Sequence, residues 1–249
     1  MSTPLLIALF ATSVATSFLS GLFGMAGGMI LIGVLLTLLT VPEAMALHAV
    51  AQLASNSWRG LLWLRHVRWR TVTAYMSGSA VALVALSFLQ FVPSKPLALL
   101  SLGISPFLVR LLPRRVRPDP QRLLHGAIYG SACMSLMLLA GVAGPLLDTY
   151  FIGGTLSRKE IVATKAVCQI FGHAAKLLYF GGLIAQSASI DPTLVVMVVV
   201  ASMIGTMAAK PVLERLTDVQ YRRWATYLIM VIACVYLVQG SYMLAWAAK

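Results

Sequence analysis

Polar residues at helical spacing in an otherwise apolar stretch give the first indication of chemistry in this sequence. They follow one another at steps of four, four and three residues: His48, Gln52, Asn56 and Arg59. This spacing places all four on one face of a single α-helix. The face combines a cation, two amides and an imidazole without a carboxylate, so it offers hydrogen-bond donors to an anion such as a tetrahedral oxyanion.

A second stretch of the sequence repeats this polar face. A shift of 117 positions aligns residues 24–59 with residues 141–176 and gives nine identities without a gap. The aligned positions of the second half are also polar: Lys165, Gln169, His173 and Lys176. The match indicates an internal duplication. It places one glutamine near the middle of each helix, at Gln52 and Gln169.

Each of these residues also has a purely structural interpretation. Arg59 and Lys176 could extend their charges to the membrane surface. The two glutamines could join helices by hydrogen bonds, and the two histidines could be satisfied core residues. These alternatives stay open for single residues, but two matched faces together favour a binding site.

Glycine-rich segments precede both polar helices. The first reads GLFGMAGGM (21–29), and its mate reads AGVAGPLLD (140–148). We expect Gly27–Gly28 and Gly144–Pro145 each to end one helix and start the next within the membrane, since proline suits the first turn of a helix. A helix that starts there directs backbone N–H groups and a positive dipole end at an anion. Close packing of helices through small residues is the alternative.

Acidic residues are few in the membrane segments. Glu43 and Glu160 align with each other at predicted helix starts, where they would cap the helix or interact with its dipole. Asp148 stands inside an apolar segment, and an intramembrane carboxylate indicates a function. It would carry a coupling proton or pair with Lys165 or Lys176, and the sequence does not choose between these roles.

The elements that position these residues are transmembrane helices. Of 249 residues, 59% are hydrophobic and 10% are charged, whereas soluble domains carry about a quarter charged residues. Apolar segments recur along the whole chain, at roughly 3–21, 26–40, 43–64, 71–91, 96–112, 122–138, 142–156, 160–184, 192–209 and 221–246. The sequence therefore predicts an all-α polytopic membrane protein with about seven to ten spans. We expect the first two segments, and also the sixth and seventh, to form hairpins or broken helices.

The distribution of charge predicts the orientation in the membrane. The net charge is +12, and the basic residues cluster in short segments at 65–70, 113–122 and 210–223. Short basic loops are typical of the cytoplasmic side, so this charge indicates membrane lipid and not nucleic acid as the partner. The N-terminus lacks a basic region and is predicted to be a first span rather than a signal peptide. With the basic segments on the cytoplasmic side, both termini are predicted to lie outside.

The two halves enter the membrane in opposite orientations. Each half contains five segments, an odd number, so repeat 1 (about 3–112) and repeat 2 (about 121–247) have inverted topology. Both repeats belong to one transmembrane domain covering 1–249. Inverted repeats characterise secondary transporters, whose substrate sites lie near the midplane between the repeats.

The sequence offers no pattern typical of an enzyme or a metalloprotein. Cys133, Cys168 and Cys234 are isolated within apolar segments and lack metal-ligand spacing. A nucleophile–base–acid set and a phosphate loop are also lacking. We therefore predict no catalytic residues, no metal and no cofactor.

Several segments together carry a family resemblance. They are GMAGGMI, PEAMALHAVAQLASNSWRGLLWL and the basic RHVRWR in the first half, and GVAGPLL with SRKEIVATKAVCQIFGHAAKLLYFGGL in the second. With these segments the chain resembles the sulfite exporter TauE/SafE family of membrane transporters. The resemblance implies transport of a small sulfur-containing anion, of the sulfite, sulfonate or sulfoacetate type. It also implies a bacterial or archaeal cytoplasmic membrane.

We therefore expect a secondary transporter, an exporter, that works by alternating access. Gln52 and Gln169 are the predicted midplane ligands, and Asn56 shares their face. Positive potential is expected from five side chains: His48, Arg59, Lys165, His173 and Lys176. A passive anion channel and a non-transporting membrane scaffold or assembly factor are the alternatives. Proton or ion coupling through Asp148 is left open, as is the oligomeric state, for which a homodimer is one arrangement.

Overall fold

Helices make up the regular structure of this protein. The computed structural model describes residues 3–23, 25–111, 118–152, 156–183, 191–215 and 218–247. In this part of the chain there are ten α-helices, one short 3-10 helix and one π-helical turn. Each of the ten apolar segments corresponds to one α-helix, so the predicted all-α fold is confirmed.

The helices divide equally between the two halves. The first half contains α1 (Thr3–Phe23), α2 (Met25–Leu38), α3 (Val41–Leu62), the 3-10 helix (Leu64–His66), α4 (Trp69–Leu89) and α5 (Lys95–Leu111). The second half contains α6 (Leu123–Ala140), α7 (Gly144–Ile152), α8 (Arg158–Leu178), the π-helical turn (Tyr179–Leu183), α9 (Pro192–Arg215) and α10 (Asp218–Ala247). The shift of 117 maps α1 to α5, in order, onto α6 to α10.

Six of the described helices are long and apolar enough to cross a membrane. They are α1, α4, α6, α8 with its π-helical turn, α9 and α10. α3 has 22 residues, a sufficient length, but its polar face lowers its hydropathy. The chain is a multi-pass membrane protein, and α3 is a helix whose polar face must be covered by protein or water rather than lipid.

Packing between the two halves is symmetric. α1 packs most extensively against α9, and its mate α6 packs in the same way against α4. α3 packs against its own mate α8, and α5 packs against its own mate α10. Exchanging the halves maps the first pair onto the second and maps each of the other two pairs onto itself. Two related halves would give this pattern, and the two-repeat organisation itself stays a prediction from the sequence.

The two polar helices begin with the same N-terminal cap. The Thr40 N–H donates to the Glu43 carboxylate at 3.0 Å before α3. The Ser157 N–H donates to the Glu160 carboxylate at 2.8 Å before α8. Each glutamate thus satisfies a backbone donor that the helix itself cannot use. The structure agrees with the capping role predicted for both glutamates.

The helix break in the second half lies close to its predicted position. α6 ends at Ala140 and α7 begins at Gly144 with Pro145 in its first turn. Between them Gly141 has a φ of 83°, a left-handed conformation that glycine adopts without strain. Gly141 therefore makes the turn, and Gly144–Pro145 start the new helix.

In the first half the predicted position of the break is wrong. α2 begins at Met25, so Gly27 and Gly28 lie in its first turn. The reason is packing: a Cβ on Gly27 would lie 1.8 Å from the Thr16 carbonyl oxygen of α1. Gly27 therefore allows close contact between α1 and α2 inside a continuous helix.

The basic segment 210–223 is helical over most of its length, and its prediction as a loop is wrong. α9 continues through Pro211 to Arg215, and α10 starts at Asp218. Apolar periodicity ends at Lys210, but a helix can continue into the headgroup region, where water hydrates its charges.

Each end of α8 contacts a different connecting segment of the first half. The Arg68 N–H donates to Thr164 Oγ1, near the start of α8, at 3.0 Å. At the opposite end of α8, the Gln90 amide donates to the Leu183 carbonyl at 3.1 Å. These contacts place the basic segment 65–70 and the turn at Gln90 at opposite ends of α8. Which side faces the cytoplasm stays a prediction from charge.

Candidate anion-binding site

The polar faces of α3 and α8 meet inside the protein. The rings of His48 and His173 are edge to face, with centroids 5.5 Å apart. Six members of the two faces are less than a tenth exposed: His48, Gln52, Asn56, Gln169, His173 and Lys176. Since α3 and α8 are sequence mates, this cluster lies where the two halves pack against each other.

Lys176 is the central cation of this cluster. Its side chain is fully buried, with 0% exposure. Its amine donates to His48 Nδ1 at 2.7 Å and to the Gly141 carbonyl at 2.9 Å. No acidic side chain of the described residues lies within ion-pair distance of it. The alternative in which Lys176 extends to the membrane surface is therefore wrong.

His48 connects both halves through its two ring nitrogens. Nε2 lies 3.0 Å from the Gly28 carbonyl oxygen, which only accepts. Nδ1 accepts from the Lys176 amine, which only donates when it is charged. These partners fix the tautomer with the proton on Nε2. His48 thus links the first turn of α2 to α8.

His173 has an unused hydrogen-bonding atom. Its Nδ1 is buried and has no partner among the described residues. A buried polar atom without a partner costs about 1–3 kcal/mol. Such an atom beside His48 and Lys176 is what a site for a polar ligand would contain.

The two central glutamines are buried but hold no fixed partner. Gln52 is 5% exposed and Gln169 is 8% exposed. Within the described part of the chain, neither side-chain amide makes a hydrogen bond. A Cβ on Gly28 would lie 3.0 Å from Gln52 Nε2, so this glycine gives the glutamine its space beside α2. The alternative in which these glutamines join helices by hydrogen bonds therefore has no support among the described residues.

Asn56 and Arg59 form a chain that ends on α1. Asn56 Nδ2 donates to the Gln52 carbonyl at 2.8 Å, and Arg59 Nη2 donates to Asn56 Oδ1 at 2.6 Å. Arg59 Nη1 lies 3.4 Å from the carbonyl of Ser20 in the last turn of α1. In the second half, the Lys176 amine donates to the carbonyl of Gly141, the residue directly after α6. This contact is equivalent to that of Arg59 with the end of α1. In both halves a cation therefore stabilises the C-terminal end of the helix before the break.

Asp148 forms an ion pair with Lys165 and not with Lys176. The pair is partly open, with side-chain exposures of 38% for Asp148 and 15% for Lys165. Asp148 is on α7, one turn after the helix start. The charge of Lys165 is thus compensated in this conformation, whereas Lys176 has no carboxylate of the described residues beside it.

Sequence reasoning missed a seam of hydroxyl groups that joins α9 to the site. Ser55 Oγ and Thr206 Oγ1 are 2.9 Å apart, and Ser17 donates to Ser202 at 3.2 Å. Ser202 and Thr206 are four residues apart, so the helical spacing that identified the polar faces could have found them. Their small hydroxyls let α9 pack closely against α1 and α3.

Two comparisons gave no match: no curated protein and no solved structure matched the chain. A third found a family. The sequence model of the family described as sulfite exporter TauE/SafE matches residues 9–237. The match covers both glycine-rich segments and both polar helices, and therefore every residue of the cluster.

Proposed function

The chain belongs to the sulfite exporter TauE/SafE family, and we propose that it exports a small sulfur-containing anion of the sulfite, sulfonate or sulfoacetate type. One observation carries the proposal. The Lys176 amine is fully buried between the two halves, without a carboxylate of the described residues to balance it. An uncompensated buried ammonium costs several kcal/mol, and a bound anion removes this cost.

The donors around Lys176 suit an oxyanion. An ammonium group has three N–H donors, and the contacts to His48 and Gly141 use two of them. The third donor and the amides of Gln52 and Gln169 would bind the oxygens of the substrate. His173 Nδ1, which lacks a described partner, would complete the site.

The packing of the halves suggests how access alternates. We infer a single domain of two inverted repeats, about 3–112 and 121–247, with the substrate between α3 and α8. Lys176 joins them in this conformation through His48 of the first repeat and Gly141 of the second. Substrate bound at the third donor would lie beside these two contacts and would weaken them, so that one repeat could then tilt relative to the other.

Asp148 is the proposed coupling residue. While its carboxylate is ionised, it holds Lys165 in an ion pair. Protonation of Asp148 would release Lys165, which shares a face of α8 with Gln169 and would add a second cation to the site. Anion binding would then be favoured at lower pH, and proton movement would be linked to anion movement.

The proposed location is the cytoplasmic membrane of a bacterium or an archaeon, with the basic segments inside and both termini outside. In this orientation the end of the bundle that contains Arg68 and Glu160 faces the cytoplasm. The site then lies between this end and the outer end at Gln90 and Leu183. No catalytic chemistry enters the proposal.

A thermal-shift screen of the purified chain tests the proposed substrate class. Sulfite, sulfonates, thiosulfate, sulfate and carboxylates would be compared at equal ionic strength. We expect sulfite or a sulfonate to raise the melting temperature more than the carboxylates do. A Lys176→Met variant should lose this shift, whereas Lys210→Met, at an exposed lysine on α9, should keep it. Equal shifts with all anions, or no shift, would contradict the proposal and favour the scaffold alternative.

A further inference from the structure

A polar pocket lies away from the buried cluster, at the end of the bundle that contains the 3-10 helix. It has a volume of about 400 Å³. Arg68, Trp69 and Arg70 line it from the start of α4, Gln121 from the segment before α6, and Leu156 from the segment before α8. The pocket therefore has walls from both halves of the chain.

We propose that this pocket binds the phosphate of an anionic phospholipid from the cytoplasmic leaflet. The positive charge of the pocket favours such a ligand. Arg70 is exposed and forms no ion pair with a described residue. Arg68 forms an ion pair with Glu160, but its side chain is 58% exposed. Two guanidinium groups at one pocket suit a phosphate, which can accept two parallel hydrogen bonds from each.

The backbone at the start of α4 adds donors of the same kind. Arg68, the residue before the helix, provides no side-chain cap. The N–H groups of Thr71 and Val72 both bond the Arg68 carbonyl. The N–H groups of Trp69 and Arg70 donate to no described residue, so they are available to an anion beside Arg70.

The position of the pocket favours a lipid over the transported anion. Residues of the transport site are polar in both halves, but the 117-residue shift aligns Arg68 with Ala185 and Arg70 with Ser187. These arginines therefore belong to one side of the membrane and not to the duplicated site. Their side is the basic end, predicted to face the anionic cytoplasmic leaflet.

The apolar part of the pocket fits the same ligand. Trp69 is 56% exposed, and exposed tryptophans are typical of the level of the lipid headgroups. Leu156 provides an apolar wall from the second half. A phosphodiester attached to a glycerol backbone would place its charge at the arginines and its carbon chain along this wall. Such a lipid would contact both repeats at once.

Binding of phosphatidylglycerol to the purified full-length chain tests this proposal. Phosphatidylcholine would be the neutral comparison, and soluble glycerol phosphate the free oxyanion. The bound lipid would be measured by native mass spectrometry, with parallel thermal shifts at about 0.3 M salt to screen general surface attraction. The variants are Arg70→Gln and, as a control outside the pocket, Arg110→Gln at the C-terminal end of α5.

We expect phosphatidylglycerol to bind and stabilise the wild type more strongly than phosphatidylcholine or glycerol phosphate. Arg70→Gln should weaken this binding about tenfold or more, because the loss of one charge-assisted hydrogen bond lowers affinity by about this factor. Arg110→Gln should leave it nearly unchanged. Equal binding of the two lipids, an equal loss in the two variants, or an equal effect of glycerol phosphate would overturn the proposal. The comparison of lipids on the wild type holds even if a variant folds poorly, and neither result depends on transport.

Discussion

Replacing Lys176 by methionine separates a binding role from a structural role for the buried cation. Methionine keeps most of the side-chain volume and removes the amine. His48 Nδ1 and the Gly141 carbonyl then lose the donor that they share at 2.7 and 2.9 Å. Each acceptor left without a partner costs about 1–3 kcal/mol.

An opposite contribution offsets this loss of stability. The wild type buries an ammonium group completely, without a described carboxylate beside it. The effective cost of burying such an ion is several kcal/mol, and the variant no longer has it. Because the two contributions are of similar size, we expect the ligand-free variant to be about as stable as the wild type.

Anion binding has no such compensation. One charge-assisted hydrogen bond to the substrate contributes about 1.5–3 kcal/mol, so its loss weakens affinity roughly 10-fold to 150-fold. The assay is sulfite-dependent thermal stabilisation, with flux into proteoliposomes measured in parallel. Lys210→Met, at an exposed lysine on α9, is the matched control and should behave as the wild type. Lower stability in Lys176→Met together with unchanged anion binding would show that the cation is structural and would refute this reasoning.

Five further substitutions test the site and the helix contact beside it. Gln52→Ala and Gln169→Ala should each reduce transport severalfold with normal amounts of protein in the membrane, and full activity in both would remove the glutamines from the site. Asp148→Asn keeps the shape of the side chain but cannot be ionised, so the pH dependence of flux should flatten, and an unchanged pH profile would exclude coupling through this residue. Gly27→Ala should prevent assembly, measured as loss of monodisperse protein, because its Cβ would lie 1.8 Å from a backbone oxygen of α1. Gly28→Ala should fold but bind anions more weakly, since its Cβ would contact a movable glutamine amide at 3.0 Å, and equal behaviour of the two glycine variants would count against this distinction.

Much of the fold could be predicted because the membrane restricts the choices. Backbone groups in lipid must be satisfied within each segment, so apolar stretches of sufficient length become helices. The capping boxes at Glu43 and Glu160 could also be predicted, since a helix start and a glutamate three residues later are close in sequence. The end of α9 could not, because Lys210 and Pro211 look like a loop although the helix continues through both.

The candidate site was only partly visible in the sequence. Helical spacing identified the face of each polar helix, and the shift of 117 related the two faces. Neither could show that Lys176 reaches His48 across the two halves, since that contact depends on how α3 and α8 pack. The sequence also left open whether Asp148 pairs with Lys165 or Lys176, and the structure shows that it pairs with Lys165. Gly27 and Gly28 have the same residue type and adjacent positions, but one contacts α1 and the other contacts Gln52.

Counterflow of labelled sulfite in proteoliposomes distinguishes a secondary transporter from a channel and from a scaffold. Purified wild-type protein would be reconstituted with unlabelled sulfite inside, and the uptake of labelled sulfite from outside would be followed over time. We expect transient accumulation of label above equilibrium, saturation with external sulfite, and loss of both in Lys176→Met. A passive channel would equilibrate the label without overshoot, and a scaffold would move none. The same experiment would be repeated with labelled sulfonates. If well-folded protein gave either of these results with sulfite and with sulfonates, the assignment as a secondary transporter would be contradicted.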